Sequence, residues 1–273
     1  MSVWFITGAS RGFGALLVDE ALARGNQVVA TARRVEDIQA RKGVLPLQLD
    51  VADEDQAQAA VGAAVKEFGR IDVVVNNAGH GLLGAVEEAT DQVARAVFDT
   101  NVFGVLNVQR AVLPVLRKQR SGHLVQISSV GGFTGTPGWG VYAATKFAVE
   151  GFSEALAGEL EPLGIHVTIV EPGLFRTDFL DPSSLHSADQ DIADYAETVG
   201  ALRHLMTEYN HQQPGDPVKA AKAIADLTEL ADPPLRIQLG TDALTRVGAK
   251  LDFMRAELEH WRKLSAGTDH DDA

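Results

Sequence analysis

The sequence predicts an α/β protein in which a doubly wound parallel sheet of about seven strands carries helices on both faces. Short apolar segments rich in strand-forming residues alternate with longer segments of helical periodicity along nearly the whole chain. A glycine-rich turn joins the first of these segments to the second. The 273 residues, 45% hydrophobic and 22% charged, suffice for one domain of this kind, which we place at residues 1–264.

Composition restricts the possible functions. The formal net charge of −13 and a pI near 5.0 argue against a nucleic-acid surface and against attraction to anionic lipid. The chain has no cysteine, so it has no disulfide bonds and redox work needs a cofactor. No stretch approaches the roughly 18 apolar residues of a membrane span and the N-terminus has no basic leader. We therefore expect a cytoplasmic protein that binds neither nucleic acid nor membrane.

The first strand, at residues 3–7, leads into a glycine-rich turn, TGASRGFG at 7–14. Its glycines, Gly8, Gly12 and Gly14, let the backbone bend tightly and approach a pyrophosphate, while amides at the start of the following helix point at negative charge. The turn lies directly after a strand and opens a helix, which favours dinucleotide binding in a Rossmann-like sheet over an ordinary loop. Its spacing departs from the GxGxxG pattern, because three residues separate the first two glycines.

The second strand, at residues 27–34, ends where an acidic residue would bind the ribose 2′-hydroxyl of NAD. Arg33 and Arg34 stand there instead, and a guanidinium suits the 2′-phosphate of NADP. Arg11, in the glycine-rich turn, could add a second positive group. We therefore predict NADP (NADPH) as the cofactor, with NAD as the weaker alternative, although Arg34 could equally be a solvated loop charge.

Polar residues follow the next two strands. The third strand, at residues 45–51, ends near Asp50, and the fourth, at 73–75, is followed by NNAG at 76–79. Ligands bind at the carboxyl edge of an open parallel sheet, so these residues are predicted to face a cofactor rather than only to form turns.

The remaining elements continue the alternation. A helix predicted at 87–119 should break or kink around Asn101, Gly104 and Pro114, and Asn101 is either a capping group or part of a polar network. Asp53 and Asp216 are predicted as helix N-caps. Further helices are predicted at 53–68, 140–163, 216–230 and 242–264, and further strands at 123–127, 165–170 and 235–239.

Between residues 180 and 214 the alternation stops, and we expect a substrate lid with one or two helices. His186, His204 and His211 lie in or near it, but their spacing suits no compact metal site. We therefore expect surface or pocket-lining histidines and predict no metal. The tail at 265–273 is polar and is predicted to be disordered.

The segment from 128 to 146, SSVGGFTGTPGWGVYAATK, carries the candidate chemistry. Tyr142 and Lys146 are four residues apart on a predicted helix and share a face. An ammonium beside a phenol favours the phenolate, so the pKa of Tyr142 should fall from about 10 towards neutrality. The pair alone is weak evidence, since this spacing also occurs on solvated helix faces.

Together these motifs resemble the short-chain dehydrogenase/reductase family in its single-domain form. The resemblance covers residues 3–179, and the family's TGxxxGxG pattern accounts for the spacing of the glycine-rich turn. The matching elements are TGASRGFG at 7–14, NNAG at 76–79, Asn101, the serine before VGG, YAATK at 142–146 and PGLFRT at 172–177.

The resemblance implies the catalytic roles. Tyr142 would be the general acid or base, and Lys146 would lower its pKa and hold the nicotinamide ribose. Ser129, rather than its neighbour Ser128, would position the substrate oxygen, because it lies thirteen positions before Tyr142. Asn101 would support a water-linked proton relay.

The resemblance also implies how the cofactor is held. The glycines would hold the pyrophosphate, Asp50 and Val51 would contact the adenine, Asn77 would line the adenosine side, and Thr177 would bind the carboxamide. The implied cofactor-binding residues are Gly8, Ser10, Arg11, Gly12, Phe13, Gly14, Arg33, Asp50, Val51, Asn77, Ala78, Gly79, Tyr142, Lys146, Pro172, Gly173 and Thr177.

We therefore expect an NADP-dependent oxidoreductase that interconverts a carbonyl and an alcohol by hydride transfer on a fairly apolar small molecule. A resemblance of VYAATKFAVEG to steroid- and retinol-type members supports the apolar preference, as do five large residues of the loops and lid: Phe133, Trp139, Phe175, Phe179 and Leu202. A carrier-bound or sugar substrate is a second possibility. A non-catalytic nucleotide sensor with the same fold is the alternative from another class, although the intact catalytic set argues against it.

Oligomerisation is implied by analogy with the family. Members often pair through the two long helices that correspond here to 87–119 and 140–163. We therefore expect a homodimer or a homotetramer.

Overall fold

Nine strands are present within residues 1–270, the part of the chain that the computed structural model describes. Their bounds are β1 Val3–Ile6, β2 Gln27–Ala32, β3 Val44–Gln48, β4 Val73–Asn76, β5 Gly81–Leu83, β6 Gly122–Ile127, β7 Ile165–Pro172, β8 Leu185–Ser187 and β9 Arg236–Leu239. Seven of them form one parallel sheet in the order β3-β2-β1-β4-β6-β7-β9. The order reverses beside β1, so the ligand crevice of such a sheet lies outside the carboxyl ends of β1 and β4.

Helices cover both faces of this sheet. Their bounds are α1 Gly12–Ala23, α2 Glu54–Phe68, α3 Asp91–Phe98, α4 Gly104–Gln119, α5 Gly140–Leu160, α6 Ala201–Tyr209, α7 Pro217–Leu227 and α8 Thr241–Ala266. Along β1, Val3 and Phe5 pack in the core with α2, α4 and α5, while Trp4 and Ile6 pack in the core with α1 and α7. Alternate residues of a strand point to opposite faces, which explains this division. The predicted parallel sheet with helices on both faces is confirmed.

Two predicted helix starts are confirmed by their caps. The Asp53 carboxylate accepts a hydrogen bond from the backbone N–H of Gln56 at 3.0 Å. The Asp216 carboxylate accepts from Val218 N at 2.9 Å, and Pro217 occupies the first position of α7. Each cap satisfies helix N–H groups that have no partner within the helix, which typically contributes about 1 kcal/mol.

The helix predicted at 87–119 is divided into α3 and α4. A π-helical turn, Asp99–Phe103, separates them and contains Asn101, as expected from the interruption there. Gly104 opens α4 at a close approach, since a Cβ on it would lie 2.5 Å from Val51 Cγ2. Pro114 does not break the chain's path, because α4 continues through it to Gln119.

The segment at 180–214 is fastened to the body of the protein. It contributes β8, which pairs with β5 in a separate two-stranded parallel sheet, and α6. The buried carboxylate of Glu88 accepts from Ile192 N at 2.9 Å and from Arg203 Nη2 at 2.6 Å. A helix was predicted here, but β5 and β8 were not, because strands of three residues give no detectable periodicity.

The C-terminal helix is longer than predicted. Residues 265 and 266 complete the last turn of α8, so the prediction of disorder is wrong for them. The end of the predicted tail, 271–273, lies outside the described residues. Within residues 1–270, no helix is both long enough and apolar enough to cross a membrane.

Candidate active site

A cavity of about 670 Å³ opens at the carboxyl ends of β1, β4, β6 and β7. It gathers predicted residues that are far apart in the sequence: Gly8, Ser10, Arg11, Gly12, Phe13, Arg33, Asp50, Val51, Asn77, Ala78, Gly79, Ser129, Tyr142, Lys146, Pro172, Gly173 and Thr177. Gly14 and Asn101 do not line it. The carboxyl edge of the sheet therefore brings together all but two of the predicted site residues.

The glycine-rich turn is shaped for close approach by a ligand. Gly8 and Gly12 have φ angles of 64° and 56°, a region that favours glycine. A Cβ on Gly12 would point into open space, with Thr177 Cβ as its nearest neighbour at 3.9 Å. Asn77 holds the turn from β4, since its Nδ2 donates to Thr7 O at 2.9 Å and to Gly8 O at 3.0 Å. The turn therefore fits a pyrophosphate.

Gly14 has a packing role rather than a place in the cavity. A Cβ on this residue would lie 2.2 Å from Gly8 O and 2.7 Å from Asn77 Nδ2. Only glycine lets the first turn of α1 pack this closely beneath the glycine-rich turn. The implied contact between Gly14 and pyrophosphate is not supported by its position.

The three arginines near the cofactor end differ in their partners. Arg34 pairs with Asp37 at 2.7 Å on the surface. Arg11 donates from its guanidinium to Ser183 Oγ at 2.7 Å and to Ser183 O at 2.8 Å, which ties the glycine-rich turn to the lid segment. Arg33 lines the cavity and has no ion-pair partner among residues 1–270. Arg33 is therefore the arginine best placed for a 2′-phosphate.

Ser129, Tyr142 and Lys146 meet at the floor of the cavity. Ser129 follows β6, where its Oγ accepts a hydrogen bond from Gly131 N at 3.0 Å, and it lines the same cavity as Tyr142. Tyr142 and Lys146 lie in the first two turns of α5 and are both buried. The Lys146 ammonium donates to Ile127 O at 2.8 Å and lies 5.8 Å from the centre of the Tyr142 ring.

Burial has the largest effect on the pKa values of Tyr142 and Lys146. Burial raises the pKa of Tyr142 to about 12, and the nearby Ser129 hydroxyl opposes this only in part. Burial also lowers the pKa of Lys146 to about 8, against the attraction of Glu150. The prediction that Lys146 draws the pKa of Tyr142 towards neutrality is therefore wrong for this structure, in which the ammonium is directed at a backbone carbonyl.

Asn101 acts as a cross-link. Its Oδ1 accepts from His80 N at 3.0 Å, and its Nδ2 donates to His80 O at 2.9 Å and to Thr145 Oγ1 at 3.1 Å. Thr145 in turn donates to the backbone carbonyl of Tyr142 at 2.7 Å. The side chain of Asn101 thus fixes α5 against the loop after β4. Protein partners use both Nδ2 protons, while Oδ1 keeps one acceptor position, so the relay role stays a prediction.

The family model for short chain dehydrogenase matches residues 2–188. Oxidoreductase BOA17 of Botryotinia fuckeliana is 39% identical over 269 residues, which cover 96% of this chain and 97% of that relative. The chain belongs to the short-chain dehydrogenase family. It is accordingly an oxidoreductase by family, and the resemblance deduced from its motifs is confirmed.

Other relatives and solved structures agree with the family assignment. A 3-ketodihydrosphingosine reductase of Bacteroides thetaiotaomicron is 38% identical over 257 residues, covering 94% of this chain and 91% of the relative. A short-chain dehydrogenase structure from Streptomyces avermitilis has a TM-score of 0.92 at 41% identity, with 98% of this chain and 100% of that chain covered.

Family members of known structure have been solved with either nicotinamide cofactor. One from Burkholderia phymatum in complex with NAD has a TM-score of 0.78 at 25% identity, covering 94% of this chain and 95% of that one. One from Burkholderia cenocepacia in complex with NADP has a TM-score of 0.73 at 25% identity, covering 95% and 96%.

In this short-chain dehydrogenase an aromatic wall stands beside Tyr142. The ring of Trp139 lies 5.6 Å from the Tyr142 ring, and that of Phe179 lies 5.7 Å from it, as measured between ring centres. Leu82 packs in the same apolar cluster. Phe179 comes from the segment after β7, so the wall closes the cavity from two sides.

His186, which we expected to be a surface or pocket-lining histidine, does line the cavity. The sequence gives no indication of three further cavity residues: His80, Gln213 and Arg246. The rings of His80 and His186 stack edge to face at 4.8 Å across the pairing of β5 and β8, which was itself not predicted. Gln213 and Arg246 come from parts of the chain beyond the motifs. Tertiary packing alone brings them to the cavity.

A group of possible metal ligands includes one of the three lid histidines, His211. Asp178, Asp181 and His211 bring ligand atoms within 4.8 Å of one another, whereas His186 and His204 are not part of the group. Asp181 Oδ1 already accepts from Asn210 Nδ2 at 2.6 Å and lies 3.1 Å from His211 Nε2. These contacts join the end of α6 to the turn after β7.

Proposed function

We propose that the protein is an NADP-dependent oxidoreductase that interconverts a carbonyl and an alcohol, with Tyr142 as general acid or base. One observation carries this proposal: Ser129, Tyr142 and Lys146 line a single cavity that the glycine-rich turn and Arg33 also line. The comparisons give no support to a non-catalytic nucleotide sensor.

The residues of the cavity fit a nicotinamide dinucleotide. The open side of Gly12 accepts a pyrophosphate, Arg33 accepts a 2′-phosphate, and Thr177 lies between the turn and the floor of the cavity. When bound, the cofactor supplies or accepts the hydride. The solved relatives with NADP and NAD support a cofactor of this class, and Arg33 favours NADP.

The chain's own residues would manage the proton. In the reducing direction the substrate oxygen gains negative charge, and the Ser129 hydroxyl can donate a hydrogen bond to it. Burial keeps Tyr142 protonated at neutral pH, since its pKa is raised to about 12, so the phenol can donate a proton to that oxygen. Lys146, whose ammonium donates to Ile127 O at 2.8 Å, lines the same cavity and would hold the nicotinamide ribose.

Replacement of Tyr142 tests the proposal. Tyr142→Phe removes the proton donor but keeps the ring, so turnover should fall by about 10²-fold to 10⁴-fold while NADPH binding is retained. Steady-state rates at the nicotinamide absorbance band, over a panel of ketones and alcohols, give the first quantity, and fluorescence titration gives the second. Tyr209→Phe, in α6 of the lid segment, is the matched control, because Tyr209 does not line the cavity and its hydroxyl makes no hydrogen bond within residues 1–270. Turnover within a few-fold of wild type in Tyr142→Phe would refute the assignment.

The substrate is proposed to be a small, largely apolar carbonyl compound or alcohol. The wall of Trp139, Phe179 and Leu82 beside Tyr142 supports this, because such side chains bury apolar surface without offering polar partners. The relative named 3-ketodihydrosphingosine reductase supports a ketone in particular.

Self-association and a cytoplasmic location complete the proposal. The predicted pairing helices expose Phe147 on α5 and, in the π-helical turn before α4, Phe103. A larger exposed apolar surface lies on α8, and its members are Leu244, Leu251, Phe253, Met254, Leu258, Trp261 and Leu264. Monomeric proteins rarely expose contiguous apolar patches of this extent, which supports a second copy of the chain as the partner.

A further inference from the structure

Arg246 is a cationic residue of the cavity for which the proposed reaction has no use. It lies in the second turn of α8, and its side chain lines the same cavity as Tyr142. Its Nη2 donates to Thr134 Oγ1 at 3.0 Å and to Thr136 Oγ1 at 2.6 Å. Thr134 donates its own proton to Val130 O at 3.2 Å, so its hydroxyl is fixed as an acceptor for the guanidinium.

The guanidinium of Arg246 has no carboxylate partner among residues 1–270. Two of its five N–H groups are used by the threonines, and those on Nε and Nη1 find no acceptor in the same part of the chain. Asp242, one turn earlier on α8, accepts from Leu174 N at 2.8 Å instead. By contrast, Arg203 and Arg236 are also partly buried, and each pairs with at least two carboxylates.

A partly buried guanidinium without a carboxylate partner is stabilised when an anion binds to it. Burial lowers the pKa of Arg246, with Asp242 acting in the opposite direction. Removing a charged group from water costs free energy that a partner of opposite charge repays. The three remaining N–H groups of Arg246 therefore mark a place for an oxyanion in the cavity.

The position of Arg246 separates this place from the cofactor phosphates. Arg246 contacts Thr136, whose backbone carbonyl accepts from Trp139 N at 3.0 Å. The Trp139 ring lies 5.6 Å from the Tyr142 ring, so Arg246 is connected to the aromatic wall beside Tyr142. Arg33 follows β2, whereas this loop follows β6, and the sheet order places these strands three positions apart. At the usual strand spacing that is about 14 Å.

We infer that Arg246 binds a carboxylate at the far end of the substrate, so that the substrate is an apolar carbonyl compound with an anionic end. This inference rests on the proposed function, and it narrows the substrate class from apolar to amphipathic. Trp139 and Phe179 contact the apolar body beside Tyr142, while Thr134 and Thr136 orient the guanidinium that receives the carboxylate.

A matched pair of substrates tests the inference. An oxo-carboxylic acid of about ten carbons and its methyl ester differ only in charge at the end, and a charge-assisted hydrogen bond typically changes affinity about 10-fold to 100-fold. We expect wild type to prefer the acid by at least about 10-fold in kcat/KM. In Arg246→Gln the ratio of acid to ester should fall towards one, mainly through KM, and Arg246→Lys should restore part of it. Arg70→Gln, an exposed arginine paired with Asp72, is the control and should keep the wild-type ratio.

Calorimetric binding of the acid in the presence of NADP separates failure of this inference from failure of the proposed function. If wild type turns over neither compound, the reaction is wrong, yet weaker binding of the acid to Arg246→Gln than to wild type would still support the carboxylate site. An unchanged preference in Arg246→Gln, or equal binding of the acid by wild type and variant, overturns the inference.

Discussion

Arg33 and Arg34 are adjacent in sequence but differ in what their charges do. The Arg34 guanidinium is held by Asp37 at 2.7 Å, whereas Arg33 lines the cavity and has no ion-pair partner among residues 1–270. A guanidinium that is not already paired can give its full interaction to an incoming phosphate. The proposed preference for NADP over NAD therefore depends on Arg33 and not on Arg34.

Alanine substitutions at these two positions test that dependence. Arg33→Ala should weaken NADPH binding by about 10-fold to 100-fold, the worth of a charge-assisted hydrogen bond, and should leave NADH binding nearly unchanged. Arg34→Ala is the matched control, since it removes the same charge one residue away. Fluorescence titration with both nucleotides measures the effect. Tighter binding of NADH than NADPH by wild type would contradict the proposed preference.

His123 links the stability of the sheet to pH. It lies on β6, buried, with its Nε2 2.9 Å from Thr168 Oγ1. Burial lowers its pKa from 6.5 to about 4, and His166 adds to the effect. Between these two values the unfolded chain binds a proton that the folded protein does not, so the stability contributed by neutral His123 is present above pH 6.5 and is lost as the pH falls towards 4.

His123→Gln should therefore flatten the acid side of the stability profile. Glutamine can still hydrogen-bond Thr168 but does not titrate. At pH 5 the linkage amounts to about 2 kcal/mol, so wild type should lose that much more free energy of unfolding than the variant between pH 7 and pH 5. Urea unfolding at the two pH values measures it, with the exposed His204→Gln as control. Parallel losses in wild type and His123→Gln would show that the histidine does not titrate in this way.

At the level of elements, glycines in helices divide into those that permit close packing and those that only lower helix stability. In α1, a Cβ on Gly14 would lie 2.2 Å from Gly8 O, which belongs to the glycine-rich turn. In α2, a Cβ on Gly62 would meet nothing within 4 Å. The same substitution should therefore have opposite effects at the two positions.

Gly14→Ala should destabilise the protein by about 1–3 kcal/mol or more, because the turn or α1 must move to admit the methyl group. Gly62→Ala should stabilise it by about 0.5–1 kcal/mol, the difference in helix propensity. Denaturant unfolding of both variants beside wild type provides the comparison. A stabilisation of similar size in both would mean that helix propensity, rather than the contact with Gly8, governs the result.

The elements that sequence predicts well are those whose apolar pattern is long enough to be distinctive. Three strands, β1, β2 and β6, are of this kind, because each contains a continuous run of buried residues. The start of α2 is also predictable, because an aspartate at the N-cap is visible in the local sequence. β5 and β8 are three residues each and depend on each other across about a hundred residues of chain, so no local signal predicts them.

The same distinction applies to the site. Ser129, Tyr142 and Lys146 lie within one short segment, and the family resemblance of that segment predicts them. Arg246, by contrast, reaches the cavity only through the packing of α8. The direction of the Tyr142 pKa was not predictable from spacing, since it depends on burial. Spacing places charges on a helix face, but it does not report the dielectric around them.

For the molecule as a whole, α8 is the helix whose apolar side chains are least covered by the rest of the chain. Every residue from 251 to 266 is exposed, and only the start of the helix packs on the body, through Ala243 and Val247. Its apolar residues follow a spacing of three and four along one side, in the order Leu244, Val247, Leu251, Met254, Leu258 and Trp261. That spacing is typical of a helix that pairs with another helix. With large side chains burying roughly 100 Å² each on pairing, such a seam approaches the area of a stable dimer interface.

A charge placed in this seam should therefore dissociate the oligomer without unfolding the chain. Leu258 lies far from the core, so the Leu258→Glu variant should keep its thermal stability as a monomer. Light scattering after size exclusion should show that the variant has lost one association state. Phe147→Glu, on the exposed face of α5, makes the matching change in the helix expected from family analogy. If Phe147→Glu dissociates the protein and Leu258→Glu does not, pairing occurs through the long helices and the seam of α8 stays free. If each variant removes a different association state, both surfaces are interfaces, and a tetramer follows because two independent two-fold contacts generate one.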